Sequence, residues 1–155
     1  MVQAIEQAVT GALDFFPGLA PRREALQAEY RDMLAWVLAQ PGLPGLMARG
    51  RPEAEIMDED GRFHRADLLV RDPGGITVLE YKTGAAQPGH HAQLGRYLSL
   101  LAASPTLRDE VRGGPAPAEH GAAPRPRVRG LLVYLDERRV EDVALAANEP
   151  GEVRP

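Results

Sequence analysis

Apolar residues recur at helical spacing early in the chain and at strand spacing further on. Val2, Ile5, Val9, Leu13 and Phe16 lie three or four apart and predict a helix over residues 2–15, closed by Phe16-Pro17-Gly18. Pro21 suits a first helical position, so a second helix is expected from Arg22 to Ala39. Its stripe is Leu26, Tyr30, Met33, Leu34, Val37 and Leu38, with Trp36 to one side. Pro41-Gly42 stops it, and Leu43 to Met47 predicts one more turn before Gly50.

The period then changes. Glu53 to Met57 alternates, with Glu53 and Glu55 on one face and Ala54 and Ile56 on the other. Asp58-Glu59-Asp60-Gly61 predicts a turn; as a calcium loop it has its glycine misplaced and lacks the required Glu. Phe63–Val70 and Ile76–Lys82 predict two more strands around the turn Asp72-Pro73-Gly74-Gly75, forming an antiparallel meander. After a loop from Thr83 to Gly89, Leu94, Tyr97, Leu98 and Leu101 predict a helix over His90–Ala103. Residues 113–127 are rich in Gly, Pro and Ala and read as a flexible surface segment. Val128–Leu135 predicts a strand in which Gly130 marks a close approach, and Val140–Leu145 a last strand after the turn Asp136–Arg139. Residues 146–155 read as a frayed end. This order predicts one α/β or α+β layer domain with a mixed sheet flanked by helices.

Composition narrows the classes. The chain has 155 residues, 44% of them hydrophobic, enough for one folded core. No apolar run is long enough to span a bilayer, and the N-terminus lacks the basic segment of a signal peptide. Cysteine is absent, which excludes disulfides and thiolate metal sites. A cytoplasmic protein without membrane contact is expected. The formal charge of −4 counts against a simple DNA-binding module, which needs Lys and Arg for phosphates. It counts less against a nuclease, whose metal site collects carboxylates.

The candidate chemistry lies between Arg65 and Tyr97. Strand alternation puts Glu80 and Lys82 on one face and Tyr81 on the other, and Asp67 on the neighbouring strand is expected to face Glu80 and Lys82. Two carboxylates beside an ammonium suit a hard divalent cation such as Mg²⁺ or Mn²⁺. Such an ion polarises a phosphoryl oxygen and activates water, and a lysine beside it steadies developing negative charge. Alone, Glu80-x-Lys82 reads as a solvated strand end. The surroundings change the balance, because Asp67 interrupts the apolar run ADLLV, where an unpaired charge is costly. Gln93 and Tyr97 follow one helical turn apart.

The ordered set Arg65-x-Asp67, Leu79-Glu80-Tyr81-Lys82-Thr83-Gly84 and Gln93-x-x-x-Tyr97 resembles the PD-(D/E)XK nuclease superfamily. It is most similar to the RecB-like nuclease domain at the C-terminus of AddA-type and UvrD-like helicase-nucleases. Gln40-Pro41-x-Leu43, the acidic strand Glu53–Met57, Asp60-Gly61, His90 and Gly130–Leu135 follow in similar order, so the likeness covers roughly residues 35–145.

The resemblance implies a restriction-endonuclease-like core over about residues 50–146, behind N-terminal helices in 1–49. It implies that Asp67, Glu80 and the backbone carbonyl of Tyr81 hold Mg²⁺ or Mn²⁺, with either Glu53 or Glu55 of the first strand a further acidic candidate and Glu55 the favoured one. Lys82 would act on the attacking water, and Gln93 and Tyr97 would support the site or contact DNA. His90 or His91 would be a candidate to touch the scissile region, but an exposed, uninvolved histidine is the favoured reading. The implied activity is exonuclease-like hydrolysis of DNA, at single-stranded ends, in double-strand-break processing and recombinational repair. The implied partners are a helicase domain on the same polypeptide and an AddB-like subunit, so the chain reads as a piece of a longer protein.

One departure stands out: such nucleases usually carry a histidine on an N-terminal helix, and residues 1–50 contain none. His64 has the opposite strand parity to Asp67 and reads as a poor substitute. The competing reading is a catalytically inactive nuclease-fold module with a structural or DNA-guiding role. A restriction-like endonuclease is a third.

Overall fold

The computed structural model describes residues 2–73, 75–104 and 127–145. Helix α1 (Val2–Asp14) packs on α2 (Arg23–Ala39) through Ile5, Val9 and Leu13 against Leu26, Leu34 and Leu38. A 2.7 Å ion pair between Glu6 and Arg31 ties the two helices at the surface. The second helix starts one residue later than expected. Pro21 lies inside a 3-10 turn over Pro17–Arg22, a common lead into an α-helix, and α2 begins at Arg23. Gly42, at φ 83°, then admits the left-handed step that starts α3 (Leu43–Arg49).

The strands are β1 (Arg51–Met57), β2 (Phe63–Asp72), β3 (Gly75–Lys82), β4 (Arg127–Tyr134) and β5 (Arg139–Ala144), with α4 (Pro88–Ala103) between β3 and β4. They form one sheet in the order β1-β2-β3-β4-β5. The first three make the expected antiparallel meander. β3 and β4 are parallel, which requires a crossover, and α4 lies in that connection. β5 returns antiparallel to β4. β1 runs two residues further back than predicted and includes Pro52, tolerated because β1 is an edge strand. Among the described residues this is a mixed α/β fold of five strands and four α-helices. Of the segment expected to be flexible, only Arg127 falls within the described residues, and it opens β4; residues 146–155 lie outside them. No helix among the described residues is long and apolar enough to cross a membrane.

Each face of the sheet has its own core. On one, α4 places Leu94, Tyr97, Leu98 and Leu101 against Ala54, Ala66, Leu69, Ile76, Val78, Leu132 and Tyr134. On the other, Val37, Leu43 and Leu46 cover Leu68, Val70, Leu79, Leu131 and Val133. The close approach expected at Gly130 is present: a Cβ there would lie 2.5 Å from Leu94 Cδ2.

The turn from β1 to β2 is built on one carboxylate. Asp58 Oδ1 accepts from the N–H groups of Asp60 (3.0 Å) and Arg62 (2.9 Å), and Oδ2 meets His64 Nε2 at 2.9 Å. The His64 bond, then the Arg62 amide, holds the Asp58 carboxyl below its ordinary 3.8. A depressed carboxyl pKa stabilises the fold above the unfolded value, and that contribution fades as pH falls through the folded value. The protection of the Asp60 and Arg62 amides, measured against the intrinsic exchange rate at each pH, is therefore expected to fall as the solution is acidified below pH 3.8, and to be lost at neutral pH in Asp58→Ala.

The ladder is irregular beside Asp67. β1 and β2 pair at Pro52↔Leu68 and again at Ala54↔Ala66, with Glu53 and Asp67 standing outside the pairing. Glu53 adopts φ 51°, a left-handed conformation uncommon for a residue other than glycine. Side-chain alternation inverts there: Ala66 and Leu69 share the α4 face, whereas Leu68 and Val70 share the other. The β2–β3 ladder also ends at this level, at Leu68↔Leu79.

Candidate active site

Beyond Leu68 and Leu79 the two strands exchange side-chain-to-backbone bonds. The Asp67 N–H donates to Glu80 Oε1 (3.2 Å), and the Tyr81 N–H donates to Asp67 Oδ2 (2.8 Å). Each carboxylate thus satisfies an amide that the ladder leaves over, which buried backbone requires. In an extended strand a residue's N–H and C=O point to the same side. The Tyr81 N–H turns toward Asp67, so its carbonyl faces β2 as well, while the Lys82 carbonyl faces β4 and accepts from the Leu135 N–H at 2.9 Å.

Glu80 lies at the centre and is almost fully buried, with 2% of its surface exposed. Its Oε2 accepts from Lys82 Nζ at 2.9 Å and from Gln93 Nε2 at 3.3 Å. Lys82 Nζ also donates to Gln93 Oε1 at 2.9 Å. Gln93 Nε2 reaches the Tyr97 hydroxyl at 2.9 Å, and that hydroxyl donates to the Arg65 carbonyl at 3.4 Å. The one-turn spacing of Gln93 and Tyr97 on α4 is what lets both side chains enter this chain of bonds. Burial pushes the Glu80 carboxyl above its ordinary value; the Asp67 charge adds to the rise and Lys82 opposes it.

Asp67, Glu80, Lys82, Gln93 and Tyr97 are therefore brought together, with the Tyr81 backbone beside them. Glu55 is not: it is exposed and lies across from Arg65 in the β1–β2 ladder. Arg65 instead pairs with Glu53 at 2.7 Å. His64 departs from the parity argument. Because alternation inverts at Asp67, its ring stands on the α4 face, 5.9 Å from the Tyr97 ring. The two other histidines expected to be idle both have partners. His91 Nε2 meets Glu141 at 2.7 Å, and the His90 ring lies 5.7 Å from the Tyr134 ring.

Sequence reasoning predicts the turn between β4 and β5 but misses what that turn holds. Asp136 accepts from the Gly84 N–H, and Glu137 Oε1 accepts from the Ala86 N–H at 2.8 Å. Arg139 holds Glu137 Oε2 at 3.1 Å and lies 4.4 Å over the Tyr134 ring. The run Asp-Glu-Arg-Arg signals only a turn; its loop partners lie some fifty residues earlier, beyond any local pattern.

Among the described residues, no group of three or more His, Cys, Asp or Glu side chains is arranged to hold a metal ion. The oxygens present still fit a magnesium-like ion. Two carboxylates, Asp67 and Glu80, stand within mutual influence, with the Lys82 ammonium bonded to Glu80, and Mg²⁺ is commonly held by one or two carboxylates with water and substrate oxygens completing its shell. Neither a family model nor a curated protein matches the chain.

Proposed function

We propose that the chain is a metal-dependent deoxyribonuclease domain with a restriction-endonuclease-like core, of the RecB-like kind that its motif order resembles. The observation that carries this reading is the convergence of Asp67, Glu80 and Lys82 where β2 and β3 part, closed from α4 by Gln93. A lysine has no need to be nearly buried for solubility, and Lys82 keeps only 14% of its side chain exposed. Asp67, Glu80 and the Tyr81 carbonyl would hold Mg²⁺ or Mn²⁺, which when bound activates water and draws charge from a phosphoryl oxygen. Lys82 orients the attacking water and steadies the charge growing on the phosphate. Gln93 fixes the Lys82 ammonium by taking one of its protons in a hydrogen bond, and Tyr97 fixes Gln93 in turn. The substrate is DNA, as single-stranded ends during double-strand-break repair, with a helicase motor and an AddB-like subunit as partners.

The test is calorimetric titration with Mn²⁺ alongside a cleavage assay on end-labelled single-stranded DNA. The wild type should bind the ion and cleave; Asp67→Ala should lose both. A wild type that neither binds Mn²⁺ nor cleaves would sink the catalytic reading. It would favour a non-catalytic module that guides DNA, a reading supported by the absence of histidine from residues 1–50 and of a third ligating side chain among the described residues.

A further inference from the structure

We propose that Asp136 and Glu137 are positioning residues for the Lys82 site, a role that rests on the nuclease reading. They would act by pinning the loop between β3 and α4 so that Lys82 and Gln93 meet at Glu80.

The loop leaves the sheet directly after Lys82 and turns through Gly84, at φ 75°. Its amides have no strand or helix to bond to, and two carboxylates from the β4–β5 turn supply the acceptors, Asp136 for Gly84 and Glu137 for Ala86. The parallel pairing of β3 with β4 brings the two segments together: Lys82 pairs with Tyr134, and the Leu135 N–H still bonds the Lys82 carbonyl at 2.9 Å. Directly after that bond, the turn from β4 to β5 presents its two acids to the departing loop.

Glu137 is itself held. Arg139 grips its second oxygen from Nε (3.2 Å) and Nη2 (3.1 Å). The Ala86 amide, then Arg139, keeps the Glu137 carboxyl below its ordinary value. Arg139 also bonds Glu141 at 2.5 Å, and Glu141 meets His91 in the first turns of α4 at 2.7 Å. The hairpin of β4 and β5 therefore grips the loop at two amides and α4 at one histidine. Gln93 lies two residues beyond that histidine and closes on Lys82. Neither Asp136 nor Glu137 bonds Lys82, Glu80 or Gln93, so any effect on the site passes through the loop or through α4.

Charge-assisted bonds to backbone amides are stronger than neutral ones, and a misplacement of about 1 Å in a catalytic group costs on the order of 100-fold in rate. The experiment compares the full chain with Asp136→Ala/Glu137→Ala and with Asp136→Asn/Glu137→Gln in Mg²⁺-dependent cleavage of end-labelled single-stranded DNA. The alanine pair should lower kcat by roughly 10- to 100-fold with KM unchanged. The amide pair keeps both acceptor oxygens and should restore most of the rate. The proposal is overturned if the alanine pair retains wild-type kcat, or if the amide pair loses as much as the alanine pair. If the alanine pair does not fold, the amide pair decides alone. A second readout does not need activity: amide exchange at Gly84 and Ala86, and the NOE between the Lys82 and Gln93 side chains. Loss of that NOE in the folded alanine pair supports the positioning role; its persistence overturns it. An inactive wild type would contradict the nuclease reading, while the NOE would still judge the clamp.

Discussion

On the proposed nuclease reading, Lys82→Ala is expected to abolish Mg²⁺-dependent cleavage, with kcat reduced by at least about 100- to 1,000-fold, the usual cost of removing one preorganised electrostatic contact. The size of the effect reflects how little else at the site is cationic. Lys82 Nζ is the ammonium bonded to Glu80, and the guanidinium of the neighbouring Arg65 is engaged by Glu53. Removing it also leaves Glu80 facing Asp67 without the group that offsets their repulsion, so the Glu80 carboxyl should rise further and take up a proton. Breaking a buried pair costs about 3–5 kcal/mol when the remaining charge stays ionised. Protonation of Glu80 relieves part of this, and cleavage should be assayed well below the variant's melting temperature. Wild-type cleavage by a folded Lys82→Ala protein would remove the basis for the catalytic assignment.

A second large effect is expected beneath the site. Leu94 is fully buried and lies over Gly130, so Leu94→Ala should cost about 2–5 kcal/mol in urea unfolding. Gly130→Ala meets Leu94 at distances that no real Cβ tolerates, and the overpacking should cost about 1–3 kcal/mol. The atoms in conflict are Cγ, Cδ1 and Cδ2 of Leu94, the same atoms that Leu94→Ala removes. The double variant should therefore be more stable than the two single losses added together, by about 0.5–3 kcal/mol. Strict additivity would show that α4 and β4 do not meet as described. Because Gln93 adjoins Leu94, the same packing sets the height of α4 over the site.

Most elements were legible in the sequence because their signals are local. The alternation in β2 and β3, the Asp-Gly turn at Gly61 and the helical stripe through Leu94 and Leu98 each depend on residues a few positions apart. Gly130 was legible for a related reason, since a missing side chain within a strand marks a place where something else comes close. The inversion at Glu53 and Asp67 was not. Glutamate carries no preference for positive φ, and only the pairing of two strands imposes that conformation. Counting parity across it put His64 on the wrong face. The cluster of Asp67, Glu80 and Lys82 is anticipated from strand alternation on two neighbouring strands, but the bonds that bind it are not. They join β2, β3 and α4, and the clamp from Asp136 and Glu137 depends on β4 lying parallel to β3.

The parting of β2 from β3 also gives the protein a built-in reporter. Two amides, those of Asp67 and Tyr81, owe their protection to the carboxylates opposite them and not to the ladder. Any ligand that draws those carboxylates toward itself must loosen these amides while leaving the paired residues from Leu68 to Asp72 unchanged. A ligand held there would therefore register at two backbone amides, with no need of substrate or turnover.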